Sequence, residues 1–396
     1  MPPPTATASL ERSPLTPPQA LSRGDGVRVC HLTSVHPPYD TRIFEKECLS
    51  LATAGYDVHL VAPAAESKRV RNITLHAVPP ARNRFERASV TTARVLIQAL
   101  RVRARLYHLH DPELIPVGMV LRALGKKVIY DAHEDVPADI LDKHYLPRWT
   151  RTTLARIVDV GERVAARWLS QVVAATPAIA RRFPTQRRAL VQNFPALTEL
   201  VPASEATYEG RGPVVVYVGL IQEIRAVLEM VRAIGKVAAR QPVRFILGGR
   251  FDTPALEARV RALAAWQHVD YRGVLPRASV APAFAEARLG LVLFHPTANH
   301  VESQPNKLFE YLAAGLPVVA SHFPLWRQII EGAQCGIVVD PRDPDAIASA
   351  IGWLLEHPAE AEAMGARGRE LVRERLNWSR EEATLLECYA RILCDS

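Results

Sequence analysis

No stretch of 18 residues in this 396-residue chain is free of charge, so nothing in it reads as a membrane-spanning helix. Cysteine is scarce and odd in number: Cys30, Cys48, Cys335, Cys388 and Cys394, with no C-x-x-C among them. That excludes a disulfide framework and a zinc ribbon, and points to reduced, mostly buried thiols in a cytoplasmic protein. An aromatic share of 7% gives little support to a base-stacking nucleic-acid binder. No G-x-G-x-x-G follows a predicted strand, and G-x-x-x-x-G-K-[ST], G-x-S-x-G and H-E-x-x-H are missing. Dinucleotide binding in the ordinary mode, a P-loop ATPase, a serine hydrolase elbow and a zinc protease are thereby set aside. Residues 1–26 are rich in Pro, Ala, Ser and Thr without an apolar h-region, which predicts a disordered tail and not a signal peptide.

What is present is a globular composition, 48% hydrophobic and 23% charged, at a length suited to two domains. The net charge of +8 is unevenly placed. Residues 1–200 hold 28 Lys and Arg against 18 Asp and Glu, a net of +10, whereas residues 201–396 net −2. A basic half facing an anionic surface or carrier and an Arg-rich solvated surface are both compatible with this. The arginines gather at Arg94, Arg101, Arg103 and Arg105, and at Arg148, Arg151, Arg156, Arg163 and Arg167.

Short apolar runs alternate with helical periodicity along the whole chain. Strands are predicted at 27–33, 57–62, 74–78, 106–110, 127–131 and 171–175, with helices at 43–54, 87–103, 113–124, 150–169 and 178–183 between them. Residues 196–211 break the pattern and read as a linker. Strands then return at 214–218, 245–248, 269–272, 289–294, 317–321 and 336–339, again separated by helices. Each half is thus a βαβ series with a parallel sheet and right-handed crossovers. The fold class is α/β: two doubly wound, Rossmann-like domains over 27–200 and 201–375, facing a cleft. The last helices have no strand after them and must pack on what exists. Ligands of such sheets sit at the carboxyl ends of the strands.

The strongest constellation lies at 295–315, HPTANHVESQPNKLFEYLAAG. Glu302 precedes a predicted helix starting near Asn306, and Glu310 lies within it. The helix start offers free N–H groups and a positive dipole end, suited to a diphosphate. Carboxylates at that mouth can accept from ribose and sugar hydroxyls. Here the sequence resembles the GT-B fold glycosyltransferases of family 4, the glycosyl transferases group 1, in a bacterial polysaccharide-type branch. The E-x7-E pair Glu302 and Glu310, NKLFEYLAAGLPVVAS (306–321), HLTSVHPPYDTRIFEKECLSLATAGYDVHLVAP (31–63), HLHDPELIPVG (108–118), YDAHED (130–135) and NFP (193–195) carry the resemblance.

The resemblance implies roles. Glu310 would hold the nucleotide ribose and Glu302 the donor sugar. Arg225 would contact the diphosphate, with Asn306, Lys307 and Leu308 also on the donor. His133 would reach sugar and phosphate from the first domain, where Asp40 and Arg42 are expected on the acceptor side. The run 376–396 would be a helix crossing back onto the first domain. Leu220 stands where the family often has Arg, Arg225-Ala226 where it often has Lys-Gly, and Pro37-Pro38-Tyr39-Asp40 where other branches have Gly-Gly. The implied reaction is retaining transfer of a sugar from a UDP- or GDP-sugar to a hydroxyl on a lipid-linked or small-molecule acceptor. No cofactor or metal is expected: the D-x-D of Asp343 and Asp345 sits at a helix start, where Asp is an ordinary N-cap. No nucleic-acid partner is expected, and the implied location is cytoplasmic, with peripheral attachment to an anionic membrane surface. A nucleotide-sugar epimerase of the same architecture, a transferase of a secondary-metabolite pathway, and a non-catalytic nucleotide-sugar-binding partner stay open as alternatives.

Overall fold

The computed structural model describes residues 26–143, 145, 147–197 and 208–394. The expected tail and most of the expected linker lie outside them. The chain divides into two compact units: one reaches Asn193 and resumes at Ser379, and the other is Phe194–Trp378.

The first unit holds β1 (Arg28–Leu32), β2 (Asp57–Pro63), β3 (Lys68–Val70), β4 (Ile73–Val78), β5 (Leu106–Leu109), β6 (Lys127–Ala132), β7 (Gln171–Ala174) and β8 (Arg188–Leu190). Their order is β3-β4-β2-β1-β5-β6-β7-β8. All neighbours are parallel except β3, an edge strand antiparallel to β4. Alternation along β1 and β5 sends Cys30, Leu32, Tyr107 and Leu109 into an apolar core shared with the helices Thr92–Val102, Ile115–Ala123 and Arg148–Trp168. The intervening His31 and His108 point to the opposite face. Register pairs them side by side.

That opposite face is covered by a π-helical turn, Ile43–Cys48, running into the helix Leu49–Thr53, and by the C-terminal helix Trp378–Cys394. The expected helix over 43–54 is therefore wound more loosely at its start. Asp40 Oδ1 accepts the N–H groups of Arg42 and Ile43 at 2.9 and 3.0 Å and opens the turn. The wider winding turns Arg42, Lys46 and Glu47 all inward. From Ser379 on, the C-terminal helix belongs to the first unit. Glu381 accepts the Gln192 N–H at 2.8 Å, and Tyr389 is fully buried against Tyr56 and the histidines.

The second unit holds β9 (Val214–Val218), β10 (Arg244–Gly248), β11 (Val269–Gly273), β12 (Leu289–Val292), β13 (Val318–Ser321) and β14 (Gly336–Val339). Their order is β11-β10-β9-β12-β13-β14, parallel throughout. Each sheet reverses its winding direction once, at β1/β5 in the first unit and at β9/β12 in the second. The crevice beyond the carboxyl ends at such a reversal is where doubly wound sheets take ligands. Asp343 caps the helix Pro344–Glu356, its side chain accepting the N–H groups of Asp345 and Ala346. Among the described residues all five cysteines are free; four are buried and Cys394 is exposed.

Candidate functional site

In the second unit the loop after β9 and the helix Asn306–Ala313 meet at the β9/β12 reversal. Gly219 has φ +142°, a backbone that favours glycine, and any Cβ there would lie 2.9 Å from the Lys307 Nζ and 3.7 Å from Arg225 Nη1. Two cations thus converge on one glycine. Lys307 is buried, with its ammonium 3.6 Å from the centroid of the Tyr217 ring and no hydrogen-bond partner. Burial, and then the neighbouring charge of Arg225, hold its pKa well below the ordinary lysine value, against an opposing pull from Glu310. Arg225 lies in the one-turn helix Glu223–Arg225, its guanidinium 5.2 Å from the Phe294 ring centroid and its Nε without a partner. A buried ammonium without an anion costs free energy, and a diphosphate at Gly219 would remove that cost. Ala226, which follows, takes the left-handed φ of 53° that glycine would take freely.

The other expected donor residues divide. Glu310, half-buried, accepts from Arg277 Nη1 at 2.8 Å. Glu302 is exposed just after the four-residue helix Ala298–Val301, and Asn306 is exposed at the first position of its helix. Leu308 has its side chain fully buried in the core, and its N–H donates to Pro305 O at 3.0 Å.

In the first unit a polar pocket of about 210 Å³ lies beyond β1, β5 and β6, with His36, His110, Asp111, Asp131 and His133 in its lining. His133 Nδ1 is 3.4 Å from Asp131 Oδ2, and its Nε2 is 3.1 Å from His36 Nε2. It does not cap the next helix; Asp135 does. Arg42 is buried, donates to both Asp131 oxygens at 2.8 Å and to Val191 O at 3.0 Å, and lies behind the polar pocket, outside its lining. Its role is to hold Asp131. Burial alone would raise the Asp131 carboxyl, but Arg42, with His110 and His133, holds it well below the usual carboxylate range. Asp40, besides opening the π-turn, faces His36 Nδ1 at 3.6 Å. Burial raises its pKa, but the bonds from His36 and from the Ile43 and Arg42 N–H groups outweigh that and lower it. The same pairing, together with Asp111, raises His36 against its burial.

Behind Asp131 runs a buried chain that the sequence reading did not find. Burial lowers the pKa values of His31, His108 and His110, so each imidazole is neutral and carries one N–H. With Asp131 as acceptor, His110 donates from Nδ1 at 3.2 Å and accepts from His31 Nδ1 at 2.9 Å. His31 Nε2 then accepts the Tyr389 hydroxyl at 3.1 Å, whose oxygen accepts from His108 Nδ1 at 2.8 Å. Glu47 lies beside all three rings, its Oε2 3.8–3.9 Å from a nitrogen of each. Burial, with the Asp131 charge, pushes its carboxyl well above the ordinary value. His31, Glu47, His108 and His110 also form the kind of nitrogen and oxygen donor set that can hold a metal ion. One sequence signal was available: H-x-H at the end of β5 places His108 and His110 on one face. Adding His31 required the register of β1.

Two family descriptions match the chain. "Glycosyl transferase 4-like domain" covers residues 41–193, including His110, Asp131 and His133 of the polar pocket, and "Glycosyl transferases group 1" covers 212–357, including Gly219, Arg225 and Lys307. The chain belongs to the group 1 glycosyl transferases. It is 26% identical over 297 residues to a phosphatidyl-myo-inositol mannosyltransferase of Mycobacterium leprae, covering 72% of this chain and 73% of that protein. It is 29% identical over 185 residues to the GDP-mannose-dependent alpha-(1-6)-phosphatidylinositol monomannoside mannosyltransferase of Mycolicibacterium smegmatis, covering 45% of this chain and 48% of that protein. The sucrose-phosphate synthase of Thermosynechococcus elongatus shares the fold, with a TM-score of 0.75 at 18% identity over 93% of this chain and all of that one. That fold is GT-B. In this glycosyltransferase the cations at Gly219 fall in the stretch matched as group 1, and His133 in the stretch matched as 4-like.

Proposed function

We propose that the enzyme moves a hexose from a nucleotide-diphosphate sugar to a hydroxyl of a lipid-linked acceptor, with retention of configuration. The observation that carries this reading is the convergence of Arg225 and the unpartnered Lys307 on Gly219. Both mannosyltransferase relatives support a mannosyl donor and a lipid acceptor, and the second supports GDP-mannose as that donor. As the glycosidic bond breaks, negative charge grows on the leaving diphosphate, and two desolvated cations stabilise it there without a metal. Glu310 takes the ribose hydroxyls once it exchanges Arg277 for them, and Glu302 the donor sugar. In the first unit Asp131, fixed by Arg42, keeps the Nδ1 proton on His133. Its Nε2, 3.1 Å from His36 Nε2, then accepts from a substrate hydroxyl that takes the place of His36. The acceptor proton passes to the leaving diphosphate.

The same reading has the enzyme working at a membrane face. Among the described residues no helix is long and apolar enough to cross a bilayer. The helix Arg148–Trp168 instead exposes Arg148, Arg156, Arg163 and Arg167, with Trp149 and Trp168 exposed near its two ends. Basic residues beside ring-bearing ones suit an anionic lipid interface. A thermal-shift panel of nucleoside diphosphates, followed by mass spectrometry of products from GDP-mannose and UDP-glucose, tests the function. Stabilisation by no nucleoside diphosphate would refute it.

A further inference from the structure

The helices Ile115–Ala123 and Arg148–Trp168 of the first unit leave an open groove of about 920 Å³ on the protein surface. Ile115, Met119, Val136, Ile157, Val160 and Val164 supply its apolar lining. Ile157 and Val160 are 63% and 59% exposed, although their helix already packs Ala165 and Ala166 into the core. The helix is thus apolar on two sides. One side packs and the other waits.

Of the groove's acidic residues, Glu162 is tied to Tyr130 and Arg182, and Glu113 to Arg87. Arg156 is the cation in the lining and carries no ion pair among the described residues. The decisive feature is continuity. Pro112, Glu113 and Val136 line both this groove and the polar pocket that contains His133 and Asp131. The two cavities therefore adjoin, a histidine- and carboxylate-lined one beside a long hydrocarbon-lined one. Their complement is an amphiphile, with a polyol head in the pocket and a single chain along the groove. A bilayer surface would need a convex or flat apolar face and would have no reason to join the pocket.

We infer that the groove holds the hydrocarbon chain of the acceptor, so that the acceptor class is a single-chain or isoprenoid-type glycolipid whose head lies at His133. This rests on the transferase reading for the meaning of "acceptor", but its test does not depend on turnover. Calorimetric titration of the full chain with n-hexyl to n-nonyl glucosides, each below its micelle concentration, should show affinity rising two- to fourfold per added methylene. Ile157→Asp and Val160→Asp, at exposed positions that leave the core intact, should abolish that chain-length dependence while GDP binding stays unchanged. Binding that ignores chain length, or is indifferent to both variants, would overturn the inference. So would variants that lose only binding to anionic vesicles, which would give the face to the bilayer, or that abolish self-association of the wild type, which would give it to a second copy. Loss of GDP binding in the wild-type panel would instead count against the transferase reading.

Discussion

Replacing Lys307 with Met should make the protein more stable and a worse enzyme at once. The ammonium is buried, has no hydrogen-bond partner, and leans on the Tyr217 ring at 3.6 Å. Leaving a polar group buried and unpaired costs about 1–3 kcal/mol. The ring returns about 0.5–2 kcal/mol of that when the amine is charged. Methionine keeps the apolar stem and gives up both, so the free protein should gain on the order of 1 kcal/mol, or about 2–4 °C in midpoint. The gain should shrink at high pH. The folded Lys307 pKa lies below its unfolded value, so the unfolded chain binds more protons and wild-type stability rises with pH through the interval between them. Binding should move the other way. A charge-assisted bond to diphosphate is worth about 1.5–3 kcal/mol, so GDP affinity should fall about 10- to 150-fold. Titrations of the wild type in buffers of different ionisation heat should show proton uptake with GDP, absent in Lys307→Met. A variant that binds GDP like the wild type and unfolds at lower denaturant would refute the reasoning.

Glu310→Ala should weaken nucleotide binding and turnover together, whereas Glu302→Ala should lower turnover more than nucleotide affinity; steady-state kinetics beside GDP titration separates them. Arg42→Met leaves Asp131 buried without its counter-ion and should cost about 3–5 kcal/mol by urea denaturation. It should also shift acid unfolding. The depressed Asp131 pKa gives stability that is complete above the unfolded value near 3.9 and lost as pH falls through the folded one, so the variant should unfold at higher pH. Co-sedimentation should show the protein on anionic and not neutral vesicles, more weakly as salt rises; equal recovery on both at low salt would remove the membrane reading.

The strands were legible wherever a short apolar run ended at Gly or Pro. Val318–Ser321, entered through Gly315-Leu316-Pro317, is an example. β3 and β8 escaped notice because KRV and RAL put arginine on sheet edges, where no hydrophobic pattern is needed. The π-turn escaped because six residues are too few for apolar spacing to tell a wider winding from an α-helix. In the sites, residue types were readable and their commitments were not. Arg42 and Arg225 are alike in sequence. Only packing shows that the first is already clamped on Asp131, while the second keeps an unpartnered Nε near the orphaned amine of Lys307. The histidine chain needed three strands in register before it existed at all.

Tyr389 closes that chain from a helix made long after the strands it covers. Roughly 200 residues lie between Asn193 and Tyr389, about 10–40 s of synthesis at about 5–20 residues per second. Through that interval the first sheet has its strands but not its last cover, and His31 and His108 lack the hydroxyl they share. The second unit, continuous in sequence, can finish folding before the first one does. A chain that broke off before Tyr389 could therefore fold its second unit while the histidine chain of the first stayed open to water.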